Sequence, residues 1–216
     1  MTDPVSPGLW RLHVLTDRET SRGRSHLEVA EAAIAGGADV LQLRDKEAGS
    51  GRLYQEALQL RKLTSDAKVP FIVNDRLDIA LAVDADGVHV GQSDLPASVV
   101  RRILGPGKIL GVSVATVEEA LRAEKDGADY LGVGPVFEAR GTKPDTGAPL
   151  GVDCIARIRR HCRLPIVAIG GINAGNARKV REAGADGAAV ISAIVSADDI
   201  SQATRQLKRI LEGTGQ

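Results

Sequence analysis

The chain has no excess charge of either sign, with 28 Lys and Arg set against 28 Asp and Glu over 216 residues. A balanced chain has no overall positive field with which to hold nucleic acid or an anionic membrane, which leaves a local basic pocket and a small partner. It also has no run approaching the roughly 18 apolar residues of a membrane span, and its N-terminus, MTDPVSPGLW, has no basic segment followed by an apolar stretch. The expectation is a soluble protein of the cytoplasm. Cysteine is scarce: Cys154 and Cys162 lie in a helix-periodic segment without the C-x-x-C spacing of a zinc site, so plain buried or surface thiols are expected. No linker and no low-complexity segment interrupts the chain. The G-x-G-x-x-G that an open, doubly wound sheet would carry after its first strand is missing as well.

What is present is repetition. Gly37-Ala38-Asp39 leads into VLQLR, Gly127-Ala128-Asp129 into YLGVG and Gly184-Ala185-Asp186 into GAAVISAI, while Asp84-Ala85-Asp86 leads into GVHVG as a weaker copy. Each copy follows a helical pattern and precedes a strand, with Gly suited to the left-handed residue that ends a helix. Four more strand-like segments lie between them: LWRLHVLT, PFIVND, KILGVSV and LPIVAIGG. The intervening segments carry helical periodicity, as in Leu27, Ala30 and Ile34, and in Leu53, Ala57 and Leu60. Thr116 with Glu119 reads as a capping box, and Ser196 with Asp199 as a similar helix start. Strand and helix thus alternate eight times, which implies a parallel sheet closed into an eight-stranded β/α (TIM) barrel, an α/β fold. The expected organisation is a single β/α-barrel catalytic domain over residues 1–216, burying roughly 70% of the surface its unfolded chain exposes.

In such a barrel the chemistry sits at the C-terminal ends of the strands, and here those ends are polar. The second strand ends VLQLRDK, where the period of two puts Gln42 and Arg44 on one side with Lys46 just beyond. Arg44 with Asp45 could also be an ordinary salt bridge at the rim. FIVND ends in Asn74 and Asp75, GVHVGQSD in Gln92, Ser93 and Asp94, and KILGVSV has Ser113 near its end. Two carboxylates, Asp75 and Asp94, at adjacent strand tips would repel unless a cation or a proton lay between them, and carboxylate plus water plus substrate phosphate is the usual coordination of magnesium. Helix capping by Asp94 ahead of Leu95-Pro96 and a turn role for Asn74 stand beside that reading.

The seventh strand runs into Gly170-Gly171 and the eighth into Ile191-Ser192, where β/α barrels commonly bind phosphate through backbone N–H groups and a short helix. Glycines there let phosphate oxygens approach the backbone, and can equally serve tight turns. After the sixth strand comes a long segment, GPVFEARGTKPDTGAPLG, more than a connection requires. It reads as a cover over the site, with Lys143 as a phosphate contact or as a solvated loop lysine. His89, between Val88 and Val90, reads as a hydrogen-bonded barrel histidine, and none of His13, His26, His89 and His161 needs a catalytic role.

QLRDK, FIVND, GVHVGQSD, LGVSV, the GPVF loop with TKPD, AIGGI and GADGAAVISAI occur in the order and spacing of the thiamine-phosphate synthase family, which the chain resembles over nearly its whole length. The resemblance implies a magnesium-dependent transferase that joins hydroxymethylpyrimidine diphosphate to a thiazole phosphate, giving thiamine phosphate and pyrophosphate. Pyrophosphate would leave first, and the thiazole nitrogen would capture the pyrimidine methyl cation. Gln42, Arg44, Lys46, Asn74, Ser113 and Lys143 would bind the diphosphate substrate, with Arg44, Lys46, Ser113 and Lys143 assisting the chemistry. Asp75 and Asp94 would hold Mg²⁺, and Gly171, Ile191 and Ser192 the thiazole phosphate. The family usually shows Thr-x-Thr-Lys in the long loop, whereas this chain has Arg140, Gly141, Thr142 and Lys143, so a guanidinium stands among the implied phosphate contacts. The partners implied are small phosphorylated molecules, and the oligomeric state stays open. A thiazole tautomerase-like relative, which needs no two-carboxylate metal site, and a non-catalytic sensor of thiamine intermediates are the alternatives.

Overall fold

The computed structural model of the protein describes residues 10–138 and 148–214. Along them β1 (Leu12–Thr16), α1 (His26–Ala35), β2 (Val40–Leu43), α2 (Ser50–Ala67), β3 (Phe71–Asn74), α3 (Leu77–Ala82), β4 (Gly87–Val90) and α4 (Ala97–Leu104) follow in order. The second half runs β5 (Ile109–Val114), α5 (Val117–Lys125), β6 (Tyr130–Val133), α6 (Asp153–His161), β7 (Ile166–Ile169), α7 (Ala177–Glu182), β8 (Gly187–Val190), α8 (Ser192–Val195) and α9 (Ile200–Glu212). Every strand pairs in parallel with its sequence neighbours, and β8 pairs with β1, so the sheet closes into the expected barrel.

Because side chains alternate along a strand, each strand feeds two cores. Leu12, Leu41, Phe71, Leu110, Leu131 and Ile166 point outward into the apolar layer beneath the helices, and each is fully buried. Burying a side chain of this kind contributes about 1.5–3 kcal/mol, so this ring and the helix residues packed on it are a large source of cohesion. The inward set is smaller: Leu15, Val40, Ile72, Tyr130, Val167 and Ala189 close on Trp10. In a chain with one Trp, two Tyr and two Phe, Trp10 and Tyr130 sit together inside the barrel with ring centroids 4.8 Å apart. Gly111 makes room for them. A Cβ there would come within 2.3 Å of the Tyr130 ring and 2.4 Å of His89 Nδ1, so any other residue would evict one of the two rings.

The recurrent Gly-Ala-Asp has a common structural cause. Gly37, Gly127 and Gly184 all have positive φ, and Asp84 in the weaker copy does too, at 54°. The Asp then turns back to the start of the preceding strand. Asp39, Asp86, Asp129 and Asp186 accept from the backbone N–H of Leu12, Phe71, Leu110 and Ile166 at 3.0, 2.8, 2.7 and 2.7 Å. Each also meets a cation: Arg61, Arg101 and Arg159 come from the helix before that strand, at 2.7, 2.5 and 2.6 Å, and Lys208, at 2.6 Å, comes from the last helix, α9, which packs beside β1 where the barrel closes. A strand start that would otherwise leave an unpaired N–H is satisfied four times in the same way.

Several local expectations are refined. In α1 the buried face is His26, Val29, Ala30 and Ala33, while Leu27 and Ile34 are only half-buried. The α5 capping box of Thr116 and Glu119 forms as read, and a second one, Ser25 with Glu28, opens α1. The last helix starts differently from the reading: Asp199 is the N-cap and accepts from Gln202 N, whereas Ser196 closes α8. The eighth strand stops at Val190, and the following ISAI turns into α8, with Ile191 at its N-cap. Cys154 and Cys162 are free and buried, Cys154 on the inner face of α6 and Cys162 as the residue that caps its C-terminal end.

Candidate active site

A cleft of about 290 Å³ opens at the C-terminal end of the barrel. Gln42, Arg44, Lys46, Asn74, Asp75, Asp94, Ser113, Gly171, Ile191 and Ser192 all line it. The long-loop positions Arg140, Gly141, Thr142 and Lys143 lie outside the described residues.

One wall is ionic. Gln42 and Arg44 follow one another on the inner side of β2, as the period of two requires. Arg44 does not pair with Asp45; its Nη1 bonds Asp17 Oδ2 across from β1. Asp45 points the other way, to His26 Nε2 and Arg18 Nε, both at 3.3 Å. Lys46 Nζ stands 3.4 Å from Asp75 Oδ2 with half of its side chain exposed. Asp75 has φ +61°, a left-handed turn conformation that Asp tolerates better than most residues and that Asp84 also adopts. Its backbone N–H is anchored on His89 O at 2.8 Å. Asp94 is not a helix cap, since Pro96 occupies that position; its Oδ2 accepts from Gly91 N at 2.7 Å. This turn swings the Asp94 carboxyl into hydrogen-bonding reach of Asp75. Burial is the main influence raising the Asp75 pKa above the usual carboxylate value; Lys46 opposes it and the charge of Asp94 adds to it.

The floor is ring-shaped and polar at its edges. His89 bonds Tyr130 Oη through Nδ1 at 2.9 Å and Ser113 Oγ through Nε2 at 2.8 Å, as expected of a barrel histidine. Burial lowers its pKa to about 4, so the ring is neutral and one nitrogen accepts while the other donates. His13 lies 5.3 Å from Tyr130, centroid to centroid, and burial, then the proximity of His89, lowers its pKa to about 3. Both of its ring nitrogens and Gln42 Oε1 are buried without a hydrogen-bond partner among the described residues. Buried polar atoms are almost always paired, so this floor has capacity reserved for a polar guest. His13 carries no assigned role in the sequence, where its one signal is a polar residue at an inward position of an otherwise apolar strand, LHVL.

The opposite wall is backbone. Gly170 and Gly171 have φ +98° and +63°. A Cβ on Gly171 would lie 2.5 Å from Glu138 O and 2.9 Å from Phe137 Cβ, so the glycine is demanded by the chain that follows β6, whatever a ligand requires. That chain is held in place by Val136 N to Ile169 O at 2.8 Å and Phe137 N to Gly170 O at 3.0 Å. Ile191 and Ser192 complete this wall where β8 passes into α8.

The fold and cleft thus define a β/α barrel with a two-walled site, cations and carboxylates on one side and glycine-rich backbone on the other. Residues 12–194 match the family model described as thiamine monophosphate synthase. The chain is 59% identical to the thiamine-phosphate synthase of Chloroflexus aurantiacus, over 95% of this chain and 94% of that one. It is 56% identical to the thiamine-phosphate synthase of Methanocella arvoryzae, over 93% and 94% of the two chains. Among solved structures, the thiamine phosphate pyrophosphorylase from Pyrococcus furiosus superposes with a TM-score of 0.87 at 42% identity, covering 96% of this chain and 98% of that one. The chain belongs to the thiamine monophosphate synthase family.

Proposed function

We propose that this member of the family is a transferase that condenses hydroxymethylpyrimidine diphosphate with hydroxyethylthiazole phosphate, giving thiamine phosphate and pyrophosphate. The observation that carries the reading is the meeting, in one cleft, of Arg44, Lys46 and the Asp75–Asp94 pair with the Gly170–Gly171 and Ile191–Ser192 backbone, above a floor with unpartnered polar atoms. Arg44, Lys46 and Asn74 hold the diphosphate. His13, Gln42 and Ser113 receive the polar edge of the pyrimidine, and Gly171, Ile191 and Ser192 the thiazole phosphate. Arg140, Gly141, Thr142 and Lys143 enter on the family resemblance alone.

The chemistry needs no protein nucleophile. The C–O bond between the pyrimidine methylene and the diphosphate breaks with both electrons leaving on pyrophosphate, and the thiazole nitrogen lone pair then forms the C–N bond. Fixed cations around the leaving oxygens favour that charge separation, and a neutral His89 beside Ser113 and Tyr130 adds no positive charge against the pyrimidine cation. Asp75 and Asp94 fit a divalent cation: two neighbouring carboxyl groups, one of them with a raised pKa, are better satisfied by a metal than by Lys46 alone. Magnesium held there would neutralise charge on the diphosphate. A cytoplasmic location belongs to the same reading, since multiply charged phosphates do not cross a bilayer unaided; no described helix is long and apolar enough to span one.

The test is incubation of the purified chain with both substrates, with and without magnesium. Pyrophosphate and thiamine phosphate should appear in equal amounts and only with the metal. Isomerisation of the thiazole without use of the diphosphate would support the tautomerase-like alternative. Binding of both substrates without turnover would support the sensor. Family membership and the retained carboxylate pair favour the synthase over both.

A further inference from the structure

The loop from β1 to α1, residues 17–25, is fastened at both ends. Its start runs along the tip of β2 residue by residue: Thr16 Oγ1 donates to Gln42 O at 3.4 Å, Asp17 pairs with Arg44, and Arg18 Nε donates to Asp45 Oδ2. Asp17 is itself fixed, 5% exposed, with Oδ1 accepting from Thr20 N at 3.0 Å and Thr20 Oγ1 at 3.1 Å. Arg44 therefore faces the cleft with Nη1 engaged and, among the described residues, its remaining donors available. Below it, His26, Asp45 and Glu56 bring three ligand atoms within 4.8 Å, a spacing a metal could use. Arg18 is bonded to both carboxylates, however, and already supplies the positive charge, so the cluster is an anchor for the loop.

The far end of the loop grips α8. Arg24 Nη1 donates to Val195 O at 3.1 Å and Nη2 to Asp198 O at 3.4 Å, while Arg22 Nη1 donates to Ser196 O at 3.1 Å. These are carbonyls at and just past the C-terminal end of α8, where a cation is favoured, and the other end of that helix presents Ile191 and Ser192 to the cleft. Between the two ends sits Ser21, 1% exposed, its hydroxyl shared by the carbonyls of Arg18 at 2.9 Å and Arg24 at 2.7 Å. One buried hydroxyl thus ties the residue that anchors the β2 tip to the residue that grips α8.

We infer that the β1–α1 loop is a strap that positions both halves of the substrate site, with Asp17 the positioning residue for Arg44, Arg24 the positioning residue for α8, and Ser21 the fastening between them. The inference rests on the proposed division of the cleft into a diphosphate side and a monophosphate side. Because both sides bear on one loop, ordering either one lowers the cost of ordering the other, and the resulting coupling must be reciprocal.

Calorimetry with pyrophosphate and inorganic phosphate as probes, on the whole chain, reads this without relying on turnover. Asp17→Asn should weaken pyrophosphate about tenfold and phosphate little, and Arg24→Ala should do the reverse, with Arg24→Lys recovering part of the loss. In the unaltered protein each probe should tighten the other several-fold, and Ser21→Ala should abolish that mutual effect while leaving each probe's separate affinity within about threefold. Arg24 lies at the loop's outer end, so its variants keep the test readable even if Asp17→Asn does not fold. Loss of both affinities to the same degree in Arg24→Ala, no mutual effect in the unaltered protein, or undiminished coupling in Ser21→Ala would each overturn the strap. Absence of thiamine phosphate formation alongside the expected probe behaviour would instead remove the proposed reaction and leave the strap standing.

Discussion

At the N-terminal end of the barrel, Asp39, Asp86, Asp129 and Asp186 each have a backbone N–H and a cation of their own. At the C-terminal end, among the described residues, Asp75 and Asp94 have only Lys46 and a turn N–H between them, and face one another. The residue type is the same and the accounting is different. Complete local satisfaction at one end makes a carboxylate a structural pin, whereas at the other end the described residues leave two neighbouring carboxyl groups only partly satisfied. The bottom face therefore pins the strand starts, and the top face keeps two carboxyl groups close together, a repulsion that the proposed magnesium would relieve.

The largest effect that would sharpen this contrast is at Asp75. Asp75→Asn should lower turnover about a hundredfold or more at limiting magnesium, because the charge that would hold the cation is gone. The melting temperature should stay level or rise slightly, since burial and Asp94 already work against the ionised carboxylate. Activity near that of the unaltered protein, or a marked loss of stability, would break the comparison. Steady-state pyrophosphate release and a thermal melt decide it.

Arg101→Ala should do the opposite. Arg101 bonds Asp129 and also the carbonyls of Gly127, Gly105 and Lys108, so its removal leaves several acceptors unpaired and should cost about 2–3 kcal/mol in urea unfolding. The value of kcat/KM should remain within about twofold, as a lesion at the far end does not reach the reacting atoms. A large kinetic defect in a folded variant would mean that the two ends are not independent.

Next in size is the pH response of the barrel floor. His13 and His89 are held neutral down to about 3 and about 4, while in the unfolded chain each titrates near 6.5. As pH falls through 6.5 the unfolded state gains protons that the native state does not, so stability is lost from there down towards the folded values. By pH 5 the loss should be on the order of 2 kcal/mol for each histidine. Urea unfolding between pH 7.5 and 5 should therefore show a slope that His13→Phe reduces by about half. An unchanged slope would show that His13 is not held neutral in the fold.

The smallest expected change lies within the pinned end itself. Among the described residues Arg61 bonds Asp86 without the added carbonyl contacts of Arg101, and both side chains of the pair are partly solvent-exposed, so Arg61→Ala should cost no more than about 1 kcal/mol. Equal costs for Arg61→Ala and Arg101→Ala would show that the carbonyl contacts contribute nothing beyond the ion pair.

Strand and helix alternation, the number of strands, the positive-φ glycines of the repeat and the side of β2 on which Gln42 and Arg44 lie were all legible in the order of residues. Each depends on interactions between near neighbours in the chain: a period of two or of 3.6, a left-handed helix end, a cap. The polar residues at the strand tips were legible for the same reason, because a barrel converts position along a strand into position in the site. Partnership was not. Arg44 turns to Asp17 rather than to the adjacent Asp45, Asp199 rather than Ser196 caps the last helix, Gly171 is required by the passing Phe137–Glu138 chain, and His13 has no hydrogen-bond partner among the described residues. Those outcomes depend on which segments meet across the closed sheet, often from distant parts of the chain, and local pattern has no access to distances that only closure creates.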